Sequence, residues 1–207
     1  MTDFITQALI ERRTGLSLHY PLLHAAVLGL AARRTLEFGA GGSTRVFIEA
    51  LPKKGIHTSI STETAEQVTE SSGAFPGPYW IHLHGCSDAY RDFDPGPLDL
   101  VLHDGSHAAD VVSADIAWAW PHLRQFGLLL VHDTQHSYCG AEMRTGLQRG
   151  LRGARFSATT LPYGFGLTII RREEGGPLAV APGVAKADSA HTTEPCVLWR
   201  PDGGEVP

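Results

Sequence analysis

The chain has 207 residues, 43% hydrophobic and 19% charged, a globular rather than a disordered composition and long enough for one domain with a sizeable core. Its net charge is -5 with a pI near 6.1, and its basic residues fall in scattered pairs such as Arg12-Arg13 and Lys53-Lys54, so no nucleic-acid partner is expected. Cys86, Cys139 and Cys196 form no CxxC and no disulfide framework, the N-terminus lacks the basic-then-apolar order of a signal peptide, and the longest apolar stretch, 21–32, falls short of the roughly 20 residues a bilayer needs, so a soluble cytoplasmic protein with no membrane partner is expected.

Residues 2–32 are expected to be helical, with Leu22, Ala25, Ala26 and Gly29 at helical spacing and Pro21 near the start of a second helix. The pattern then changes. Residues 35–38 form a short strand, GAGG (39–42) a tight turn, and STRVFIEAL (43–51) a helix stopped by PKKG. A second strand follows at 56–60, a short helix at 64–71, a third strand at 80–83 and a fourth at 98–102. Residues 107–120 are expected to be helical, with Val112, Ile116, Ala119 and Leu123 on one face. Phe126-Gly127 turns the chain into a fifth strand at 128–131, a helix covers 139–151, and 156–161 and 165–170 close the domain as a strand pair around Pro162-Tyr163-Gly164.

Strands alternating with helices predict an α/β fold: a Rossmann-like, doubly wound, mostly parallel sheet of seven strands with an antiparallel closing strand. The expected organisation is a helical segment at 1–32, the domain proper at 33–172, and a Gly-, Pro-, Ala- and Ser-rich flexible tail at 173–207. Within the tail, CVLWRP (196–201) is an apolar island suited to docking as an added strand on this domain or a neighbour. A small-molecule ligand is expected, and a homo-oligomer is left open.

Three sites carry chemistry. The first is LEFGAGGST: Gly39 and Gly41 lie between a strand and a helix, where glycine permits a tight turn and a close ligand, and the helix beyond presents free N–H groups. Thr44 stands where a dinucleotide fingerprint has its third glycine, and Glu37 just before the turn suits a cationic or amino group better than a phosphate. The second and third are LVLHDGSHAAD and LLLVHDTQH, two apolar strands that each end in a His-Asp pair with another histidine three residues after the aspartate. Ends of neighbouring parallel strands share one edge, so Asp104 and Asp133 are expected in one cleft, where two carboxylates call for a positive charge between them. A hard divalent cation such as Mg²⁺ meets that need. An imidazole titrates near neutrality, which makes His107 the candidate base. His136 is a candidate metal or substrate contact or a solvated loop residue, while His103 is expected on the opposite face of its strand and Asp110 and Asp115 in structural roles. No HExxH or GxSxG is present, which argues against a zinc hydrolase or a serine nucleophile.

The EFGAGGS turn, the DGSH and HDT strand ends, Asp115 eight residues past His107, and the closing YGFGLTIIRR resemble class I S-adenosylmethionine-dependent methyltransferases over residues 30–172. Within that family they are similar to the small-molecule O-methyltransferase branch that includes macrolide sugar methyltransferases and cephalosporin hydroxylase-like proteins. The resemblance implies S-adenosylmethionine as cofactor, with Glu37, Gly39, Gly41, Ser43, Glu63, Ser87 and Asp104 around it, His107 as catalytic base, and Asp104, His132 and Asp133 around Mg²⁺ or another divalent metal. Two departures stand out. Ser61 occupies the end of strand two, where the family places an acid for the ribose, with Glu63 two residues on. His132 stands where the relatives carry an acid, and a histidine suits Mn²⁺, Fe²⁺ or Zn²⁺ better than Mg²⁺. A non-catalytic cofactor-binding or interaction module, or a metal-dependent enzyme of another type on the same scaffold, are the alternatives.

Overall fold

The computed structural model describes residues 3–11, 15–73, 79–85, 90–174 and 198–199. Helix α1 (Asp3–Glu11), a 3₁₀ turn (Leu16–His19) and α2 (Tyr20–Gly29) precede β1 (Arg34–Phe38). Then come α3 (Gly42–Ala50), β2 (Ile56–Ser61), α4 (Ala65–Ser72), β3 (Tyr79–His84), β4 (Leu98–His103), α5 (Ala109–His122), β5 (Leu123–His132), α6 (Gly140–Gly150), β6 (Phe156–Leu161), β7 (Leu167–Arg172) and β8 (Leu198–Trp199).

These strands form one sheet in the order β6-β7-β5-β4-β1-β2-β3-β8. The β5-β4-β1-β2-β3 block is parallel, and β7 and β6 continue it antiparallel. This is the expected Rossmann-like sheet, helices on both faces, and its topology brings the C-terminal ends of β1 to β5 to one edge. The two-residue β8 pairs antiparallel with β3, through Trp199 opposite His82 and Leu198 opposite Leu83. It falls inside CVLWRP, within the stretch read from sequence as tail.

The double layer explains the continuous apolar runs. Along β4 and β5, Val101, Leu129 and Val131 pack with Val112 and Ile116 of α5 and Met143 of α6. Their alternates Leu100, Leu102 and Leu130 pack on the other face with Ile5, Leu23 and Phe47. The N-terminal helices therefore complete the core of the same domain rather than standing apart from it. A sheet strand buried on both faces must be apolar at every position except where a polar group finds partners. Asp99 is such a case. It is buried, its Oδ2 accepts the backbone N–H groups of Arg33 (2.7 Å) and Arg34 (2.9 Å), and its Oδ1 pairs with Arg124, which ties the entry of β1 to β4.

One boundary differs from expectation. β5 begins at Leu123, straight after α5, because Leu123 pairs with Leu98 before a register shift; Leu123 was read as the end of the helix face. Arg172 donates to the carbonyls of Trp120 (2.9 Å) and Leu123 there, holding the end of α5 in place of a glycine cap. Among the described residues no helix is long and apolar enough to cross a membrane.

Candidate active site

β1 delivers the chain to Gly39, which adopts φ +82°, a left-handed conformation that favours glycine. A Cβ there would lie 2.3 Å from the Asp104 carbonyl oxygen at the end of β4. The neighbouring strand thus imposes the glycine as strongly as any ligand does. Gly39 N–H donates to Ile60 O (2.8 Å) and Asp104 N–H to Phe38 O (2.9 Å), so the ends of β1, β2 and β4 are fastened together.

Beneath this turn lies Glu37, fully buried. Its Oε2 accepts from Ser43 Oγ (2.7 Å), and its Oε1 from Thr44 Oγ1 and from His57 Nε2 (3.1 Å). His57 Nδ1 in turn accepts from Thr35 Oγ1 at 2.9 Å. Thr44 Oγ1 also accepts the Gly41 N–H (3.0 Å), one of the free donors at the start of α3. The carboxylate is therefore turned into the protein, where it holds the glycine turn against the helix. Glu37, which the resemblance places beside the cofactor, is thus engaged by the hydroxyls of Ser43 and Thr44, the second and third residues of α3.

Two cavities open on the C-terminal edge and meet at Gly39. One, about 380 Å³, is bounded by Gly41, Ser43, Asp104, His107, His132 and Asp133, with His136 and Phe165 at the far wall. The other, about 460 Å³, is bounded by Phe38, Ser61, Thr62, Tyr90 and Asp115. A third opening of about 610 Å³ lies at the opposite end of the strands, beside Leu123 and Arg172, and none of the sequence-predicted site residues lines it.

In the first cavity, the side chains of Asp104, His107, His132 and Asp133 are linked. His107 Nε2 donates to Asp133 Oδ2 at 2.9 Å. A carboxylate accepts, so the proton of a neutral His107 ring lies on Nε2 and the lone pair on Nδ1; the side chain is 47% exposed and lines the cavity. Asp133 adopts φ +60°, uncommon for a residue with a side chain, and directs Oδ1 to His132 Nδ1 (3.3 Å) and Oδ2 to His107. His132 Nδ1 also lies 2.8 Å from Asp104 Oδ1, while its Nε2 donates to Gly164 O at 2.7 Å. Asp104, His132 and Asp133 together form a group with metal-ligand spacing, their donor atoms within 4.8 Å of one another, and His107, Asp133 and Cys139 form a second. The donor set of the first group fits a divalent ion: two carboxylates and one imidazole nitrogen converge with the other nitrogen already engaged.

Without an ion, a proton fills the gap. Burial alone would depress the His132 pKa, but the hydrogen bonds and charges of Asp104 and Asp133 outweigh it and raise it from 6.5 to about 10. Burial would raise the Asp133 pKa, but His132 and then His107 pull it below 3.8. The sign follows from linkage. The raised His132 pKa contributes stability that is full below 6.5 and is lost as pH climbs through about 10; the lowered Asp133 pKa contributes stability that is full above 3.8 and is lost as pH falls through its folded value. The chelator-treated protein is expected to melt highest between those limits and to lose stability steadily from pH 7 to 10, more steeply than His132→Gln. Parallel melting curves for the two proteins over that range would show that His132 carries no charge in the fold.

Among the other predicted residues, Gly39, Gly41, Ser43 and Asp104 face the first cavity. Glu63 does not face either cavity; its carbonyl accepts from His82 Nε2 (2.8 Å), its N–H donates to Ser61 Oγ (3.1 Å), and its side chain lies at the surface. Ser61 and Thr62 face the second cavity instead. Ser87 lies outside the described residues. His103 is buried on the far face of β4, as its alternation with Asp104 predicts, and bonds Asp115 Oδ2 (3.0 Å), whose Oδ1 accepts from Tyr90 Oη.

Sequence reading missed the anchoring of His132. His19, in the 3₁₀ turn, is buried and donates from Nε2 to Tyr163 O (3.0 Å), one residue before Gly164. Burial, and next the charge of His132, push the His19 pKa down, so it serves as a neutral donor. The only sequence signal was a histidine inside an apolar segment 144 residues from its partner.

Residues 36–134 match a family model described as a methyltransferase domain. No curated protein matches the sequence. Among solved structures, a methyltransferase of Podospora anserina bound to S-adenosylhomocysteine superposes with a TM-score of 0.63 at 14% identity, over 84% of this chain and 89% of that one. The O-methyltransferase of Streptomyces achromogenes involved in tomaymycin synthesis, in complex with S-adenosylmethionine, gives 0.58 at 19% identity over 84% and 91%. A methyltransferase of the mycinamycin biosynthetic pathway, in complex with Mg, S-adenosylhomocysteine and mycinamycin VI, gives 0.53 at 18% identity over 78% of this chain and 51% of that one.

Proposed function

We propose that this chain, whose residues 36–134 match a methyltransferase-domain family model, moves the methyl group of S-adenosylmethionine to an oxygen of a small molecule with the help of a divalent metal ion. The observation that carries the reading is the meeting of two cavities at Gly39, one lined by hydroxyls and the other ending at the His107–Asp133 pair. The cofactor would supply a methyl already activated by its sulfonium, and a divalent ion, which Asp104, His132 and Asp133 would hold, would lower the pKa of an acceptor hydroxyl.

The protein's own work is positioning and proton removal. Gly39 and Gly41 leave room for a ligand to pass close to the backbone between the cavities. Ser61 and Thr62 offer hydroxyls to a ribose diol where an acid is usual. Asp133 holds the His107 Nε2–H, so Nδ1 keeps its lone pair toward the cavity and takes the acceptor's proton as the oxygen attacks. Holding acceptor and methyl in line supplies much of the rate, since the methyl needs no further activation. Calorimetry with S-adenosylmethionine, followed by transfer of labelled methyl to a panel of hydroxyl compounds, tests the reading. Binding with product S-adenosylhomocysteine is expected; no heat of binding at millimolar cofactor would rule it out.

A further inference from the structure

His132 Nε2–H is committed to the Gly164 carbonyl at 2.7 Å. The neutral ring must then carry its lone pair on Nδ1, which faces Asp104 Oδ1 at 2.8 Å and Asp133 Oδ1 at 3.3 Å. Three lone pairs converge on one point, and only a positive charge there makes the arrangement stable. Ligand bonds of about 2.1 Å set neighbouring donors about 3.0 Å apart in an octahedron and about 3.4 Å in a tetrahedron, and the spacings here fall close to that range. The carbonyl is itself held: Gly164 has φ +56°, a Cβ on it would lie 2.6 Å from Gly15 O and 2.9 Å from His19 Nε2, and His19 bonds the adjacent Tyr163 O at 3.0 Å. The N-terminal segment and the β6–β7 turn thus fix which nitrogen faces the carboxylates, with the ring 4% exposed and unable to swing away.

From this we infer that the centre formed by Asp104, His132 Nδ1 and Asp133 selects a borderline transition-metal ion of the Co²⁺ or Zn²⁺ kind over Mg²⁺, and that the Gly164 carbonyl is the positioning group that sets this preference. An imidazole nitrogen adds affinity for such ions and little for Mg²⁺, which demands oxygen and keeps its waters. A ligand histidine whose other N–H is anchored binds more strongly than a free one, and loss of such an anchor costs 10–100-fold in metal affinity, on the order seen for partners one step behind a metal ligand. The inference rests on the proposed function only for the idea that an ion belongs here; the donors and their anchoring come from the fold.

Equilibrium dialysis with metal analysis, on apo full-length protein against Mg²⁺, Co²⁺ and Zn²⁺, reads the preference directly, and the visible spectrum of the Co²⁺ form reports nitrogen ligation. Wild type is expected to bind Co²⁺ and Zn²⁺ at least about 100-fold more tightly than Mg²⁺. His132→Asp is expected to shift toward Mg²⁺, and Gly164→Ala to weaken Co²⁺ about 10–100-fold with a changed spectrum. Equal affinity for Mg²⁺, no bound ion at all, or a His132→Asp protein with unchanged preference overturns the inference. If neither variant folds, the wild-type series still decides it. Cofactor calorimetry on the same samples separates the two ideas: cofactor binding without metal preference removes only this inference, and metal preference without cofactor binding removes only the methyltransferase reading.

Discussion

His107→Ala is expected to slow methyl transfer by about 10²–10⁴-fold while leaving S-adenosylmethionine affinity unchanged. The ring is 47% exposed and hydrogen-bonds Asp133, so the variant is expected to keep its melting temperature. Asp133→Asn should also slow transfer, by releasing the Nε2–H and letting the ring choose the other tautomer, and it should weaken metal binding as well. The two variants therefore separate the proposed roles, proton removal by His107 from ring orientation and charge at Asp133. Rescue of His107→Ala by added imidazole would strengthen the assignment. Undiminished turnover in His107→Ala would take the residue out of the mechanism.

Glu37→Ala is expected to cost about 3–5 kcal/mol of stability, because it leaves Ser43, Thr44 and His57 as buried polar groups without their common acceptor. Domains of this size are stable by about 5–15 kcal/mol, so the variant stands near the edge of folding. The denaturation midpoint is the measurement. Glu37→Gln supplies the control. It keeps the shape and one acceptor, and its cofactor affinity should fall only as far as the turn loosens. A Glu37→Gln protein with full stability and a more than ten-fold loss of cofactor affinity would mean that the carboxylate touches the cofactor after all.

How far the sequence reveals this protein depends on the distance over which each feature is determined. The strands of the parallel block are legible because burial on both faces demands unbroken apolar runs, and LVLHD and LLLVHD announce both the strand and its end. The glycine turn is legible because a strand-to-helix reversal has few backbone solutions. Leu123 misled because an apolar residue after a helical stripe fits either element, and only its pairing with Leu98 assigns it to β5. The orientation of Glu63 was not legible at all: whether it reaches back toward the ribose or decorates the next helix is not set by its neighbours in sequence, and it is His82 and His84 on β3 that bond its carbonyl while its side chain lies at the surface.

The sequence by itself determined the layered α/β architecture, the edge where the strand ends meet, and the convergence there of Asp104, His107, His132 and Asp133, since periodicity and strand ends are local properties. Tertiary structure alone decided which partners each of those residues has. It engaged Glu37 from within the protein, through hydroxyls in the first turn of α3, six and seven residues further along the chain. It joined His107 to Asp133 and His132 to Asp104, because β4 and β5 lie side by side. It also chose the nitrogen that His132 presents, through a carbonyl 32 residues distant that a histidine from the N-terminal segment helps to hold. Hydrogen-bond direction depends on partners brought together by the whole chain, and no local pattern encodes it.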